Sequence, residues 1–143
     1  NPMARLYREA PLNSIWEGTS NMMCMDVRRA MLKDPRTIEA LFDEVAPLRG
    51  QEAHFDAMVD HTRQLVRDGV ADEFLARPMT EAVARLLQGA ELLRHSPAEV
   101  ADAFLATRGP ASSASWGVHY GTLASPLSQA TAQKIMRRAM VEQ

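Results

Sequence analysis

A helical pattern is clearest in the stretch Met22-Met23-Cys24-Met25-Asp26-Val27-Arg28-Arg29-Ala30-Met31-Leu32-Lys33-Asp34-Pro35. Met23, Val27, Ala30 and Met31 follow one another at i, i+4, i+7 and i+8, the spacing that places side chains on one face of an α-helix. The stripe stops at Asp34-Pro35, where Asp34 is suited to cap a new helix and Pro35 to occupy its first position. The stretch therefore predicts a helix, a sharp break and a second helix.

The same pattern continues along the chain and predicts an all-α fold, a bundle of about six helices. A stripe over 38–45 ends at Pro47 and Gly50, a third over 55–66 ends near Asp68-Gly69, and a fourth runs from Pro78 to His95. Ser96-Pro97-Ala98-Glu99 predicts a capping box that opens a short helix. The composition of residues 110–125 predicts a loop fixed by Trp116, Tyr120 and Leu123, and Ser125-Pro126 predicts the start of a last helix. The predicted inward side chains are Ile38, Leu41, Phe42, Val45, Phe55, Met58, Val59, Thr62, Leu65, Val66, Met79, Val83, Leu86, Leu87, Ala90, Leu93, Val100, Ala103, Phe104, Thr107, Ala132, Ile135, Met136, Ala139 and Met140.

Composition and charge exclude several classes of protein. The chain has 143 residues, is 46% hydrophobic and 24% charged, and carries a net charge of −2, as expected of one globular domain. No apolar stretch is long enough to span a membrane. Residues 34–76 carry ten acidic and four basic side chains, whereas the segments before and after each have a charge of +2. This acidic middle argues against a continuous nucleic-acid-binding face.

The cysteine and histidine content gives no sign of a disulfide or a metal site. Cys24 is the single cysteine, which suits a reducing cytoplasm, and its place on the Met-rich stripe predicts a buried packing role. The four His residues are scattered, and no Cys or carboxylate set completes a metal site. We therefore expect no metal.

A possible active-site corner precedes the first predicted helix, in Ile15-Trp16-Glu17-Gly18-Thr19-Ser20-Asn21. It combines a carboxylate, a flexible glycine, hydroxyl groups and an amide. Gly18 allows backbone angles that other residues resist, and desolvation of Glu17 would raise its pKa toward that of a useful general base. The alternative is that Glu17 is an ordinary acid favoured by a helix N-terminus. Thr19 or Ser20 is also a plausible N-cap.

The run from Arg8 to Asn21 resembles the C-terminal helical domain of flavin-dependent acyl-CoA dehydrogenases. That family carries Arg-Asp-Ala, six further residues and Glu-Gly-Thr-x-Gln, and Arg8 and Glu17 keep its spacing of nine positions. Trp16 and Asn21 stand where the common pattern has Tyr and Gln. Both departures are shared with the AidB-type (DNA alkylation response) branch, which this chain resembles further at Cys24, Asp26-Val27 and Arg29.

The resemblance implies a role for each residue of the corner. Glu17 matches the catalytic base, which removes the proton α to a thioester carbonyl while FAD accepts a hydride from the β carbon. Gly18, Thr19 and Asn21 match positions that contact the adenine and pyrophosphate region of FAD. The implied substrate is an acyl-CoA, and the implied assembly is a homo-oligomer.

The resemblance also implies how the chain is divided. Residues 1–33 correspond to the end of the C-terminal helical domain and contain the corner, and residues 34–143 correspond to the helical extension of the AidB-type branch. The family builds its flavin site with two further domains, so we expect the chain to be a fragment that is inactive and free of FAD by itself.

Two other functions stay open at this point. The AidB-type branch is linked to duplex DNA binding through its C-terminal domain, and Arg29 matches an Arg position of that branch. Arg28, Arg29 and Lys33 form only a small basic cluster, and ion pairing within or between subunits is an equally simple role for them. The chain could also act solely as a helical oligomerisation module.

Overall fold

A computed structural model describes residues 3–14, 19–109 and 128–140. Within these ranges there are seven α-helices and no strand, which confirms the all-α prediction. Short 3-10 turns cover Ala10–Ser14, Ala46–Leu48 and Glu73–Leu75. The helices are α1 (Met3–Glu9), α2 (Ser20–Lys33), α3 (Arg36–Val45), α4 (Ala53–Ala71), α5 (Ala76–His95), α6 (Ala98–Arg108) and α7 (Gln129–Ala139).

The centre of the bundle is the pair α4 and α5, which pack against each other in antiparallel orientation. Gly69, near the end of α4, lies against Met79 near the start of α5, and Phe55, near the start of α4, lies against Gly89. Both helices turn their predicted apolar stripes inward, so Phe55 and Met79 are fully buried. Burial of such stripes supplies most of the stability of a helix pair in water.

Three further helices, α2, α3 and α6, pack on this pair. α2 packs on α5 and α4, α3 on α2 and α4, and α6 on α5 and α4. Two ion pairs join elements at the surface of the bundle: Arg49 Nη2 lies 2.8 Å from Asp60 Oδ1, and Arg94 Nη2 lies 2.7 Å from Glu44 Oε1. Surface ion pairs contribute little to the free energy of unfolding. These two pairs therefore mainly orient the elements that they join.

Several predicted helix ends are confirmed and others are wrong. The break at Asp34-Pro35 is confirmed, and Asp34 Oδ1 accepts a hydrogen bond of 3.1 Å from the Arg36 backbone N–H. The predicted end near Asp68-Gly69 is wrong by two residues, because α4 continues to Ala71 with Gly69 inside it. The predicted capping box is also wrong: Pro97 precedes α6 without a side-chain cap, and the Glu99 carboxylate instead pairs with Lys134 Nζ at 2.5 Å.

The inward side chains are confirmed for α3 and α4 and partly wrong for the later helices. The prediction for α6 missed its most buried positions, Ala101 and Leu105, which have exposed fractions of 2% and 0%. In α5, Leu87 is exposed. Met136 in α7 and Met140 directly after it are exposed, since this helix contacts the rest mainly through α6. A stripe shows which side chains share a face, but it does not show whether another helix covers that face.

The N-terminal arm presents apolar side chains to solvent. Met3, Leu6 and Tyr7 of α1 are 63%, 56% and 81% exposed. On α2, Met23 is exposed, whereas Val27 is half-buried against the core and Met31 is buried. The stripe on α2 is therefore divided along its length: the end near Met31 belongs to the core, and the end near Met23 faces outward.

Two predictions fall outside the described residues, namely the loop over 110–125 with Trp116 and Tyr120 and the helix start at Ser125-Pro126. The described part of the last helix begins after Ser128, whose Oγ accepts a hydrogen bond of 3.1 Å from the Thr131 backbone N–H. Among the helices that the structure describes, none is long and apolar enough to cross a membrane.

Candidate functional site

The predicted corner is described from Thr19 onward, and Glu17 and Gly18 lie outside the described residues. Thr19 occupies the N-cap position of α2, with extended backbone angles (φ −71°, ψ 158°), which confirms its predicted position but not a capping role for its side chain. Its carbonyl oxygen accepts the Met23 N–H at 3.2 Å. Its side chain makes no capping hydrogen bond, so the Thr19 hydroxyl stays available for another partner.

Asn21 lies in the first turn of α2 and contacts the first turn of α5. Arg77 donates two hydrogen bonds to the same Asn21 oxygen, Oδ1, from Nε at 3.0 Å and from Nη2 at 2.5 Å. Both side chains are exposed. A guanidinium has only donors, so the amide oxygen must face it. The Asn21 Nδ2 group therefore points away from Arg77.

The groups gathered here are suited to a negatively charged, hydrogen-bond-accepting ligand. Thr19 offers a hydroxyl, Asn21 an N–H₂ donor and Arg77 a positive charge. The first turn of α2 contains no acidic side chain, and a helix N-terminus favours anions. The contact of Thr19 and Asn21 with FAD stays a prediction.

The predicted basic cluster of Arg28, Arg29 and Lys33 is divided by the fold. Arg28 turns inward and donates to two carbonyl oxygens at the end of α4, from Nε to Gly69 O and from Nη2 to Val70 O, each at 3.0 Å. Arg29 stays exposed and forms an ion pair with Asp26 on its own helix. Arg28 is therefore a helix C-cap, and Arg29 carries a charge that is partly neutralised.

A concavity of about 650 Å³ lies between α3 and α4, apart from the corner. Its apolar floor includes Phe42 and Val66, and the Arg63 guanidinium lies 4.4 Å from the centroid of the Phe42 ring. Acidic side chains line it from α3 and basic ones from α4. This groove shares no residue with the corner, and its two acidic and two basic side chains do not select a ligand of one sign.

A few titratable groups among the described residues have a shifted pKa. Partial burial lowers the pKa of His61, and the Lys134 ammonium lowers the pKa of Glu99. Hydrogen bonds from Arg36 lower the pKa of Asp34. No set of three His, Cys, Asp or Glu side chains within the described ranges could hold a metal ion, and Cys24 is buried, as predicted. These shifts belong to helix ends and packing, away from Thr19 and Asn21.

Comparison with known proteins shows which family the chain resembles. Residues 1–32 match the family model described as acyl-CoA dehydrogenase, C-terminal domain. A curated relative is similar over a longer region: the chain is 37% identical over 111 residues to the Escherichia coli (strain K12) protein named "Putative acyl-CoA dehydrogenase AidB". The resemblance to the C-terminal part of this family and to its AidB-type branch is thus confirmed.

The region of similarity covers most of this chain but only a small part of the relative: 75% of this chain and 20% of the E. coli protein. It therefore continues well past residue 33, into the segment predicted to be a helical extension. The division at residues 33 and 34 stays a prediction. No solved structure matches the chain significantly.

Sequence reasoning missed Arg77 at this site, and it missed the contact that Arg28 makes with the end of α4. The sequence does contain one signal for Arg77, because a basic side chain in the first turn of a helix opposes the helix dipole. Such a residue therefore suggests a contact outside its own helix. No comparable signal exists for Arg28, whose acceptors are backbone carbonyl groups 41 and 42 residues away.

Proposed function

We propose that this chain is the C-terminal part of an FAD-dependent acyl-CoA dehydrogenase-like flavoprotein, which forms an α,β double bond in an acyl-CoA thioester. The main support for this proposal is the family match over residues 1–32, because this segment contains Glu17, Gly18, Thr19 and Asn21. The longer similarity to the E. coli protein supports it. A homo-oligomer and a cytoplasmic location stay predictions.

In this proposal the chain contributes a base and part of a cofactor site. The Glu17 carboxylate takes the proton from the carbon α to the thioester carbonyl. Bound FAD supplies the acceptor for the hydride that leaves the β carbon, so the substrate loses two hydrogens and gains a C=C bond. Gly18, Thr19 and Asn21 hold the adenosine diphosphate part of the cofactor. The exposed donors of Thr19 and Asn21 support this role, since neither is used within α2.

Duplex DNA binding through Arg29 receives less support from the structure. A phosphate contact is strongest where several cations lie together, but Arg28 is turned toward α4 and Arg29 is paired with Asp26. Arg29 is still exposed, so DNA binding is kept as a competing outcome of the test.

The test uses the full-length flavoprotein. Glu17→Gln should keep bound flavin, measured by its visible absorption, and lower acyl-CoA-dependent dye reduction by roughly 10²–10⁴-fold, the usual effect of removing a general base. Glu73→Gln makes the same change at an exposed position outside the family motif and should keep full turnover. Wild-type protein that stays free of flavin after reconstitution with FAD would refute the oxidoreductase proposal.

The competing outcome is measured in parallel with a labelled DNA duplex. If the chain binds DNA through Arg29, Arg29→Ala should weaken duplex affinity and reduce its salt dependence, while Glu17→Gln leaves both unchanged. Arg36→Ala removes an exposed arginine that is likewise paired with an acidic neighbour, Asp34, and is the matched control. The oxidoreductase proposal expects no duplex affinity that depends on Arg29.

A further inference from the structure

The contact between Arg77 and Asn21 connects two helix starts that are far apart in sequence. The two residues are separated by 56 positions, and both hydrogen bonds end on the Asn21 oxygen. Two donors on one oxygen fix the carboxamide more firmly than one would. They also determine which end of the amide faces α5, because Nδ2 in that position would place donor against donor.

Arg77 is poorly placed for stability alone. It is the second residue of α5, where the helix dipole disfavours a cation. Its side chain and that of Asn21 are exposed, and hydrogen bonds between exposed side chains add little to folding. The remaining guanidinium hydrogens, those of Nη1 above all, have no hydrogen-bond partner among the described residues. The main consequence of the contact is therefore the orientation of Asn21.

We propose that Arg77 is a positioning residue for the flavin site, holding the Asn21 carboxamide so that its Nδ2 hydrogens face an acceptor on the adenosine diphosphate part of FAD. This inference rests on the proposed function, in which Asn21 contacts that part of the cofactor. Without Arg77 the amide turns freely, and half of its orientations present the oxygen to the negatively charged diphosphate. FAD affinity falls as a result, although Arg77 itself need not touch the cofactor.

A double-mutant cycle on the full-length protein tests this role. The variants are Arg77→Met, Asn21→Ala and the double substitution, and the measured quantity is the FAD dissociation constant from flavin fluorescence. Loss of one oriented hydrogen bond should weaken FAD binding by roughly 5- to 20-fold in Arg77→Met. In the Asn21→Ala background the same change should weaken it by less than about twofold, because a positioning residue has then nothing to position.

Matched measurements separate the possible failures. Arg67→Met removes an exposed arginine whose one hydrogen bond among the described residues is to Gln64 on its own helix, and it should leave FAD affinity unchanged. The thermal unfolding of the apo forms should be nearly the same for Arg77→Met and wild type. An equal loss of affinity in both backgrounds would mean that Arg77 acts directly on the ligand, and would overturn the positioning role.

Two other results are equally decisive. If wild type and Arg77→Met bind FAD with the same affinity, the inference is wrong while the proposed function stands. If wild-type protein does not bind FAD at all, the proposed function fails and this inference fails with it.

Discussion

Met79 packs so closely on Gly69 that a Cβ atom at Gly69 would lie 2.8 Å from both Cβ and Sδ of Met79. This contact is where the two central helices approach each other near their connecting turn. Gly69 looks like a helix-ending residue in the sequence. In the structure it is an interior helical residue whose missing side chain lets α4 and α5 meet.

Gly69→Ala should therefore destabilise the fold, even though alanine is the better helix former. The propensity gain is about 1 kcal/mol, whereas overpacking against Met79 costs about 1–3 kcal/mol. We expect a net loss of about 1 kcal/mol in the free energy of unfolding, measured by urea denaturation. Gly89→Ala is the comparison, because there a Cβ would meet the end of the flexible Leu105 side chain at 3.1 Å. A stabilised Gly69→Ala variant would contradict the packing role.

Arg28→Leu should cost more stability than the same change at its neighbour. Arg28 satisfies the carbonyl oxygens of Gly69 and Val70 at the end of α4, and hydrogen bonds from a charged group contribute about 1.5–3 kcal/mol. Arg29→Leu removes only an exposed pair with Asp26 and should change the free energy of unfolding by less than about 0.5 kcal/mol. Equal effects of the two variants would show that the C-cap contact is unimportant.

Thr62→Val should stabilise the protein. Thr62 is fully buried in α4, and its hydroxyl oxygen has no hydrogen-bond partner among the described residues. Valine has nearly the same shape and removes this unsatisfied group, whose burial costs about 1–3 kcal/mol. We expect a gain of about 1 kcal/mol in urea denaturation. Thr80→Val is the control, since the Thr80 hydroxyl donates to Ala76 O at 2.8 Å and no gain is expected there.

Acidification should weaken the fold through His61. Burial lowers its pKa below the ordinary value of 6.5, so the unfolded chain binds more protons than the folded one as the pH falls. The contribution of neutral His61 to the free energy of unfolding is therefore fully present above about pH 6.5 and decreases below it. Melting temperatures measured between pH 7.5 and 5.5 should fall more in wild type than in His61→Gln. His95→Gln changes an exposed histidine and should behave as wild type.

The isolated chain should self-associate through its N-terminal arm. Leu6 and Tyr7 on α1 are mostly exposed, and Met23 adds to the apolar surface on α2. Large exposed apolar patches on a small protein favour association. Leu6→Glu should lower the weight-average mass in sedimentation equilibrium. Leu12→Glu is the comparison. Leu12 is only 40% exposed, so this substitution should lower the mass by less. Monomeric wild-type protein at high concentration would refute this prediction.

The sequence by itself determined the helical class and most of the breaks between helices. Asp34-Pro35 and Gly50 mark such breaks because proline and capping side chains act through the local backbone, whatever lies nearby. The inward face of α4 also followed from spacing alone, and Thr19 was predicted as a cap. The similarity of residues 8–21 to a flavoprotein family was likewise readable in the order of residue types.

Only the tertiary structure decided which groups from distant segments meet. Gly69 is an interior packing position because α5 packs back along α4. Glu99 pairs with Lys134 instead of capping its own helix, because α7 lies beside α6. Arg77 reached Asn21 for the same reason, through the packing of α5 on α2. Spacing along one helix fixes which side chains share a face, but the partner of that face depends on how the helices pack together.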